Sequence, residues 1–224
     1  MKIGAVTIGQ SPRVDVTPDI LPIFPEDTEL IQAGALDSLT REQIMQMKPE
    51  EGDYVLVSRL NDGTFAKFGE SFILKRLQEC VKRLEEQEVS LIMVFCAGTF
   101  PDIFRAKVPV IYPAKLLNGL AAALSRTSNI VVITPDEEQV KQAYDQWGAI
   151  VKKVTPIPAN PYGDKEEIQR AAEKAKETDA DLIVMDCIGY SREAKRLVAS
   201  VTQRPVLLCR TVLARTVSEL MDIA

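Results

Sequence analysis

Two short segments carry the residue types best suited to chemistry: Cys96-Ala97-Gly98-Thr99 and Cys187-Ile188-Gly189-Tyr190-Ser191-Arg192. Each follows an apolar run, and each sets a thiol shortly before a glycine and a hydroxyl. Two thiols on opposite faces of one carbon can remove a proton from one side and return one on the other, thiolate acting as base and thiol as acid. The chain has no histidine. That excludes nucleophiles relying on an imidazole base, the H-E-x-x-H zinc site and every histidine-ligated metal. Thiolate formation must then come from a helix N-terminus or a nearby cation, which lower a cysteine pKa from ~8.5 to ~7 or below. Arg192 and a helix opening near Ser191 are the candidates beside Cys187. Taken singly, either cysteine reads better as a small core residue at a strand end. Their matched positions tip the pair toward function.

Gly9-Gln10-Ser11-Pro12-Arg13 reads as an anion clamp, with glycine for close backbone approach, a hydroxyl on Ser11 and a two-pronged guanidinium on Arg13. A turn bearing a surface arginine is the plainer reading. The segment matches neither G-x-G-x-x-G nor G-x-x-x-x-G-K-[ST], so nucleotide binding lacks its main support. Thr134, at another strand end, joins the candidates. So do Arg59 and Asn61, which a solvated hairpin end explains as well.

The elements that must position these groups are runs rich in Val and Ile alternating with amphipathic stretches, as in buried parallel strands separated by helices. Strands are expected at Lys2 to Ile8, Thr28 to Ala33, Leu91 to Phe95, Pro109 to Tyr112, Ile130 to Thr134, Ile150 to Pro156, Leu182 to Asp186 and Pro205 to Cys209. In such sheets the ligand crevice lies at the carboxyl ends of strands, where the candidates above fall. Thr17-Pro18 and Thr134-Pro135 each suggest a capping hydroxyl before a helix, and Thr40 with Gln43 a capping box. Asn61-Asp62-Gly63 between Tyr54 to Leu60 and Thr64 to Phe68 predicts an antiparallel hairpin. The following helix, Glu70 to Glu86, carries an apolar stripe that includes Cys80, read as a core thiol. Asp164 to Glu177 reads as a helix with a solvated charged face. Cys209 reads as packing.

A weak internal repeat sets Ser90 to Cys96 beside Ala180 to Cys187, and Pro109-Val-Ile-Tyr beside Pro205-Val-Leu-Leu. It predicts an α/β fold of two similar domains, the boundary falling between Tyr112 and Asn129. The first domain is expected at 1–112 and the second at 113–210.

The 224 residues are 46% hydrophobic and 26% charged, with a net charge of −5. A chain of this size buries roughly 70% of its unfolded surface. The acidic balance and the absence of a basic block argue against nucleic acid, and no window approaches the ~20 apolar residues of a membrane span. The N-terminus is too short and polar for a signal peptide, so a cytoplasmic protein is expected. Four dispersed cysteines without C-x-x-C fit neither a zinc site nor a disulfide scaffold. A homodimer is compatible with the sequence.

The opening Ile-Gly-Ala-Val-Thr-Ile-Gly-Gln-Ser-Pro-Arg-Val-Asp, the Leu56-Val-Ser-Arg-Leu-Asn-Asp-Gly hairpin and Phe95-Cys-Ala-Gly-Thr-Phe resemble the AroM family across essentially the whole chain. That family is similar in turn to the aspartate/glutamate racemase superfamily. The resemblance implies two pseudo-symmetric, mainly parallel α/β domains with a β-hairpin insertion in the first, the last helix from Thr211 to Ile223 (211–224) returning to the first domain, and a cysteine from each domain in an interdomain cleft. By it, Cys96 and Cys187 are the catalytic thiols, Thr99 and the amides around both cysteines hold the substrate carboxylate, and the Gly9 to Arg13 loop is the first substrate loop. The chain departs from the superfamily by having Cys-Ala-Gly-Thr for Cys-Asn-Thr, and Cys-Ile-Gly-Tyr for Cys-Thr-His. The expectation is therefore a cofactor-independent racemase or isomerase acting on a small carboxylate, bound by Gln10, Ser11, Arg13, Arg59, Thr99, Thr134, Gly189, Tyr190 and Ser191. A one-thiol lyase or decarboxylase, and a non-catalytic anion-binding module, remain alternatives.

Overall fold

A computed structural model describes residues 1–100, 104–124 and 128–222. These divide into two compact units, Met1–Tyr112 with Leu213–Ala224, and Pro113–Val212.

The first unit is built on β1 (Lys2–Thr7). After it come α1 (Thr17–Ile20), β2 (Glu29–Gly34), α2 (Arg41–Met45), β3 (Val55–Arg59), β4 (Phe65–Gly69), α3 (Leu74–Glu85), β5 (Ile92–Phe95) and β6 (Val110–Ile111). A parallel four-stranded sheet runs in the order β2-β1-β5-β6, while β3 and β4 pair antiparallel as a separate ribbon. All four residues of β5, Ile-Met-Val-Phe, are buried. Such unbroken apolar runs arise because a parallel sheet is covered on both faces. The hairpin turn holds Gly63 at φ 88°, the left-handed region that Asp-Gly turns require. Leu77, Cys80, Val81 and Leu84 of α3 are buried on one stripe, and burial pushes the Cys80 thiol pKa up.

The second unit comprises α4 (Pro113–Leu124), β7 (Asn129–Thr134), α5 (Val140–Trp147), β8 (Lys153–Pro158), α6 (Lys165–Lys176), β9 (Leu182–Met185), α7 (Arg192–Thr202), β10 (Val206–Leu208) and the start of α8 (Cys209–Met221). Its sheet, order β10-β9-β7-β8, is the first sheet's order repeated, with β7, β8, β9 and β10 matching β1, β2, β5 and β6. On α6, Ile168, Ala171, Ala172 and Ala175 face inward, while exposed Glu166 and Arg170 pair across one turn. No helix among the described residues is long and apolar enough to cross a membrane.

Several boundaries differ from expectation. Thr17 is the first residue of α1 rather than its cap, because the Arg13 carbonyl already accepts from the amides of Val16 and Thr17. Thr134 stays in the sheet beside Pro158 and donates its hydroxyl to the Asp136 carbonyl; Asp136 caps the next turn by accepting from the Glu138 amide. Thr40 and Gln43 form the full capping box. The strand expected from Ile150 begins at Lys153. The helix expected from Glu70 opens with a 3-10 turn. The last helix starts at Cys209, taking that fully buried thiol out of the strand, and its expected end, Ile223, lies outside the described residues. So do residues 125–127 of the expected boundary segment.

Candidate active site

Cys96 and Cys187 stand just beyond β5 and β9, the equivalent third strands of the two sheets. Both are mostly buried, 8% and 7% exposed, and no disulfide joins them. The turn chemistry is the same at each. The Gly98 amide donates to Cys96 Sγ at 3.3 Å, and the Gly189 amide donates to Cys187 Sγ at 3.3 Å. An N–H aimed at sulfur favours the charged form of a thiol.

Both turns are roofed by tyrosine. A Cβ on Gly98 would lie 3.2 Å from Leu56 Cδ2 and 3.4 Å from Tyr54, while one on Gly189 would lie 2.4 Å from the Tyr162 hydroxyl. Thr99, just past the first turn, is exposed.

The Gly9 to Arg13 loop is tied into the fold by its own side chains. Arg13 is 2% exposed and grips Asp15 with both prongs, Nε to Oδ1 at 2.8 Å and Nη2 to Oδ2 at 2.7 Å. Its two-pronged face thus meets a carboxylate of the chain itself. Ser11 donates its hydroxyl to Asp37 Oδ2 and its amide to Asp37 Oδ1, both at 2.7 Å. Gln10 accepts from the Asn61 amide at 2.8 Å, and the Asn61 side chain donates to the Ser11 carbonyl at 3.2 Å. The glycine serves the same knot, since a Cβ on Gly9 would fall 2.1 Å from Ser58 Oγ. Gln10, Ser11 and Arg13 fix the loop against the hairpin and β2.

Arg59 is placed differently. It ends β3 half-buried, and its guanidinium makes no hydrogen bond or ion pair with any described residue. With Pro12, Arg13, Asp15 and Asn61 it lines a pocket of about 200 Å³. The Arg13–Asp15 pair lines the same pocket.

In the second unit the hydroxyl candidates also have internal work. Tyr190 is 1% exposed and donates to the Ala159 carbonyl at 2.6 Å; burial, then the nearby Cys187, pushes its pKa well above that of an ordinary phenol. Ser191 caps α7 by accepting from the Ala194 amide at 3.1 Å. Thr134 is committed to Asp136 as described. Gly189 supplies the amide at the sulfur, and its carbonyl accepts from Arg210 at 2.8 Å. Asp186, one residue before Cys187, accepts from the Trp147 indole at 2.9 Å, while its other oxygen is buried with no hydrogen-bond partner. Burial pushes its pKa up to about 7, against the indole bond that lowers it.

The AroM protein family model matches residues 3–221. The chain belongs to the AroM family. No curated protein matches the sequence. Among solved structures, the AroM chain is similar to the maleate isomerase Iso from Pseudomonas putida S16, at 15% identity and TM-score 0.64 over 99% of this chain and 92% of that one. It is similar to arylmalonate decarboxylase, at 14% and 0.65 over 100% and 94%. It is also similar to glutamate racemase from Francisella tularensis subsp. tularensis SCHU S4, at 17% and 0.61 over 98% and 80%. At these identities the likeness shows the fold, which is that of the Asp/Glu racemases.

Within this AroM fold, sequence reasoning missed Asp37, Tyr162, Asp186 and Arg210. Asp186 sits in the same strand-end motif as Cys187, and an acidic residue closing an apolar strand was a usable signal. Arg210 follows a cysteine read as packing and lies 23 positions beyond Cys187, so nothing in its spacing linked the two.

Proposed function

We propose that this AroM protein catalyses proton transfer at a carbon of a small carboxylate, as a cofactor-independent racemase or isomerase, with Cys96 and Cys187 as the acid/base pair and Arg59 as the carboxylate-reading cation. One observation carries the reading: equivalent strands of two sheets of the same order each end on a cysteine whose sulfur accepts from the glycine amide two residues on, at 3.3 Å in both turns. A single nucleophile needs no second copy of that geometry. A two-base mechanism needs both.

The relatives fit a carboxylate substrate. One isomerises maleate, and another was solved in complex with D-glutamate. Thr99 is retained in the proposal because its side chain is exposed just past the Cys96 turn. Ser11, Arg13, Tyr190 and Ser191 are assigned to support, since their polar atoms are committed within the fold.

The test is proton exchange. A panel of chiral and unsaturated small carboxylates incubated with the protein in deuterated water should give carbon-bound deuterium, at a rate sharply lowered by Cys96→Ser and by Cys187→Ser. No exchange with any member at high enzyme concentration overturns the proposal. A second reading, decarboxylation by one thiol, is favoured by the buried Arg210 that backs only the Cys187 turn and by the decarboxylase among the similar folds. It is distinguished by carbon dioxide release and by unequal damage from the two serine substitutions.

A further inference from the structure

Arg210, the second residue of α8, is 1% exposed. Its Nε donates to the Ile188 carbonyl at 2.9 Å and its Nη2 to the Gly189 carbonyl at 2.8 Å. A peptide unit is planar and trans, so a carbonyl and the next residue's N–H point in opposite directions. The Ile188 carbonyl and the Gly189 N–H are the two ends of one such unit. One end rests on the guanidinium, and the other points at Cys187 Sγ at 3.3 Å. We infer that Arg210 is a positioning residue for Cys187: it holds the Ile188–Gly189 peptide with its N–H on the sulfur and, by polarising that peptide, favours the thiolate.

Charge-assisted hydrogen bonds are stronger than neutral ones, and bonds in series polarise one another where water is excluded. A guanidinium is suited to this place because it stays charged when buried and its fixed fork spans two carbonyls at once. Cys96 is the internal control. Its sulfur accepts the same glycine amide, yet among the described residues no side chain donates to the Ala97 or Gly98 carbonyls. Besides burial, the groups that act on the neighbouring Tyr190 are Cys187, Asp186, Tyr162 and Glu167, all acids and none a cation. Arg192, at the start of α7, is the remaining nearby cation in sequence. The inference rests on the two-thiol reading and deepens it, assigning Cys187 to enter the reaction as the base and Cys96 as the acid.

The experiment follows the ¹³Cβ resonances of labelled cysteines in the full chain from about pH 5 to about pH 11, which reports each thiol without substrate and without reagent access. In the unmodified protein, Cys187 should titrate below Cys96 and below the ~8.5 of an ordinary thiol. Arg210→Gln should raise the Cys187 midpoint by about one unit, a tenfold loss of thiolate at neutral pH, and leave Cys96 in place. Arg210→Lys keeps the charge but reaches one carbonyl, so it should give a smaller shift, and it carries the test if the glutamine variant does not fold. A Cys187 midpoint no lower than that of Cys96, or one unmoved in a folded Arg210 variant, overturns the inference. So does a shift in Arg192→Gln matched by none in the Arg210 variants. Because no turnover is measured, failed deuterium exchange with an intact shift removes the two-thiol chemistry and leaves the role of Arg210 standing.

Discussion

The two cysteine turns share a strand position, a glycine two residues on, an amide-to-sulfur distance and a tyrosine overhead, yet what lies behind them differs. Behind Cys187 stand a buried cation on the turn's carbonyls and a buried carboxyl one residue upstream. Around Cys96 the added material is a hairpin, and the charged groups of that unit's strand-end loop are paired with one another or, in Arg59, offered to a pocket. Repetition of a fold thus conserves the local backbone geometry that a strand end imposes, while the two copies diverge in what can set a thiol's charge. One turn carries a buried cation on its carbonyls, and the other lies in a unit whose Arg59 lines a pocket.

The sharpest way to break this comparison is to remove the sulfurs. Each serine substitution should lower exchange by about 10³-fold, within the span a positioned acid or base contributes. A tenfold difference between the two would mark the turns as unequal partners, and an effect confined to one would merge the comparison into one-thiol chemistry.

Next comes the contrast between two arginines of the same pocket. Arg13→Gln strands Asp15 in a partly buried site and should cost about 3–5 kcal/mol of stability, read by urea unfolding. Arg59→Gln breaks no internal bond and should leave stability within about 0.5 kcal/mol. It should instead raise KM for the carboxylate at least tenfold, and an unchanged KM would remove Arg59 from the site.

Asp186 gives a smaller effect with a definite sign. Its folded pKa, about 7, lies above the ordinary 3.8, so the native state holds a proton that the unfolded chain releases. Its contribution is present below about pH 4 and is lost as the pH rises through about 7. Asp186→Asn should therefore stabilise the protein by roughly 2–4 kcal/mol at pH 8 and by little near pH 4, seen as a difference in Tm between the two proteins that widens with pH. A constant difference would contradict the burial of that carboxyl.

The smallest effect concerns the tyrosine roofs. Gly189→Ala should cost about 1–2 kcal/mol, and Tyr162→Ala should recover part of it in a double-mutant cycle, because the added methyl meets the phenol. Gly98→Ala should cost less, since its nearest neighbours lie at 3.2 Å or beyond.

Much of this was legible in the residues. Val and Ile runs located the strands because burial on both faces leaves an unbroken apolar signal, and Asp62-Gly63 announced the hairpin because its φ demands it. The matched places of Cys96 and Cys187 were visible because both follow equivalent apolar strands. The roles of Ser11, Arg13 and Tyr190 were not. Whether a polar side chain serves a ligand or the fold depends on partners such as Asp37, Asp15 and Ala159, which come close only through folding. Arg210 was hidden for the same reason, its bonds running to carbonyls that no side-chain pattern encodes.

The strand β3 has a mechanical consequence. Leu56 reaches the Cys96 turn and Ser58 the Gly9 loop, two residues apart on one face, with Arg59 at the strand's end. The strand is in effect a ruler, and at about 3.3 Å per residue it sets Arg59 roughly 10 Å along from Leu56. A one-residue insertion near Val55 would turn the ruler over, lifting Leu56 from one loop and Ser58 from the other, so a single added residue would disturb the Cys96 turn and the Arg59 pocket together.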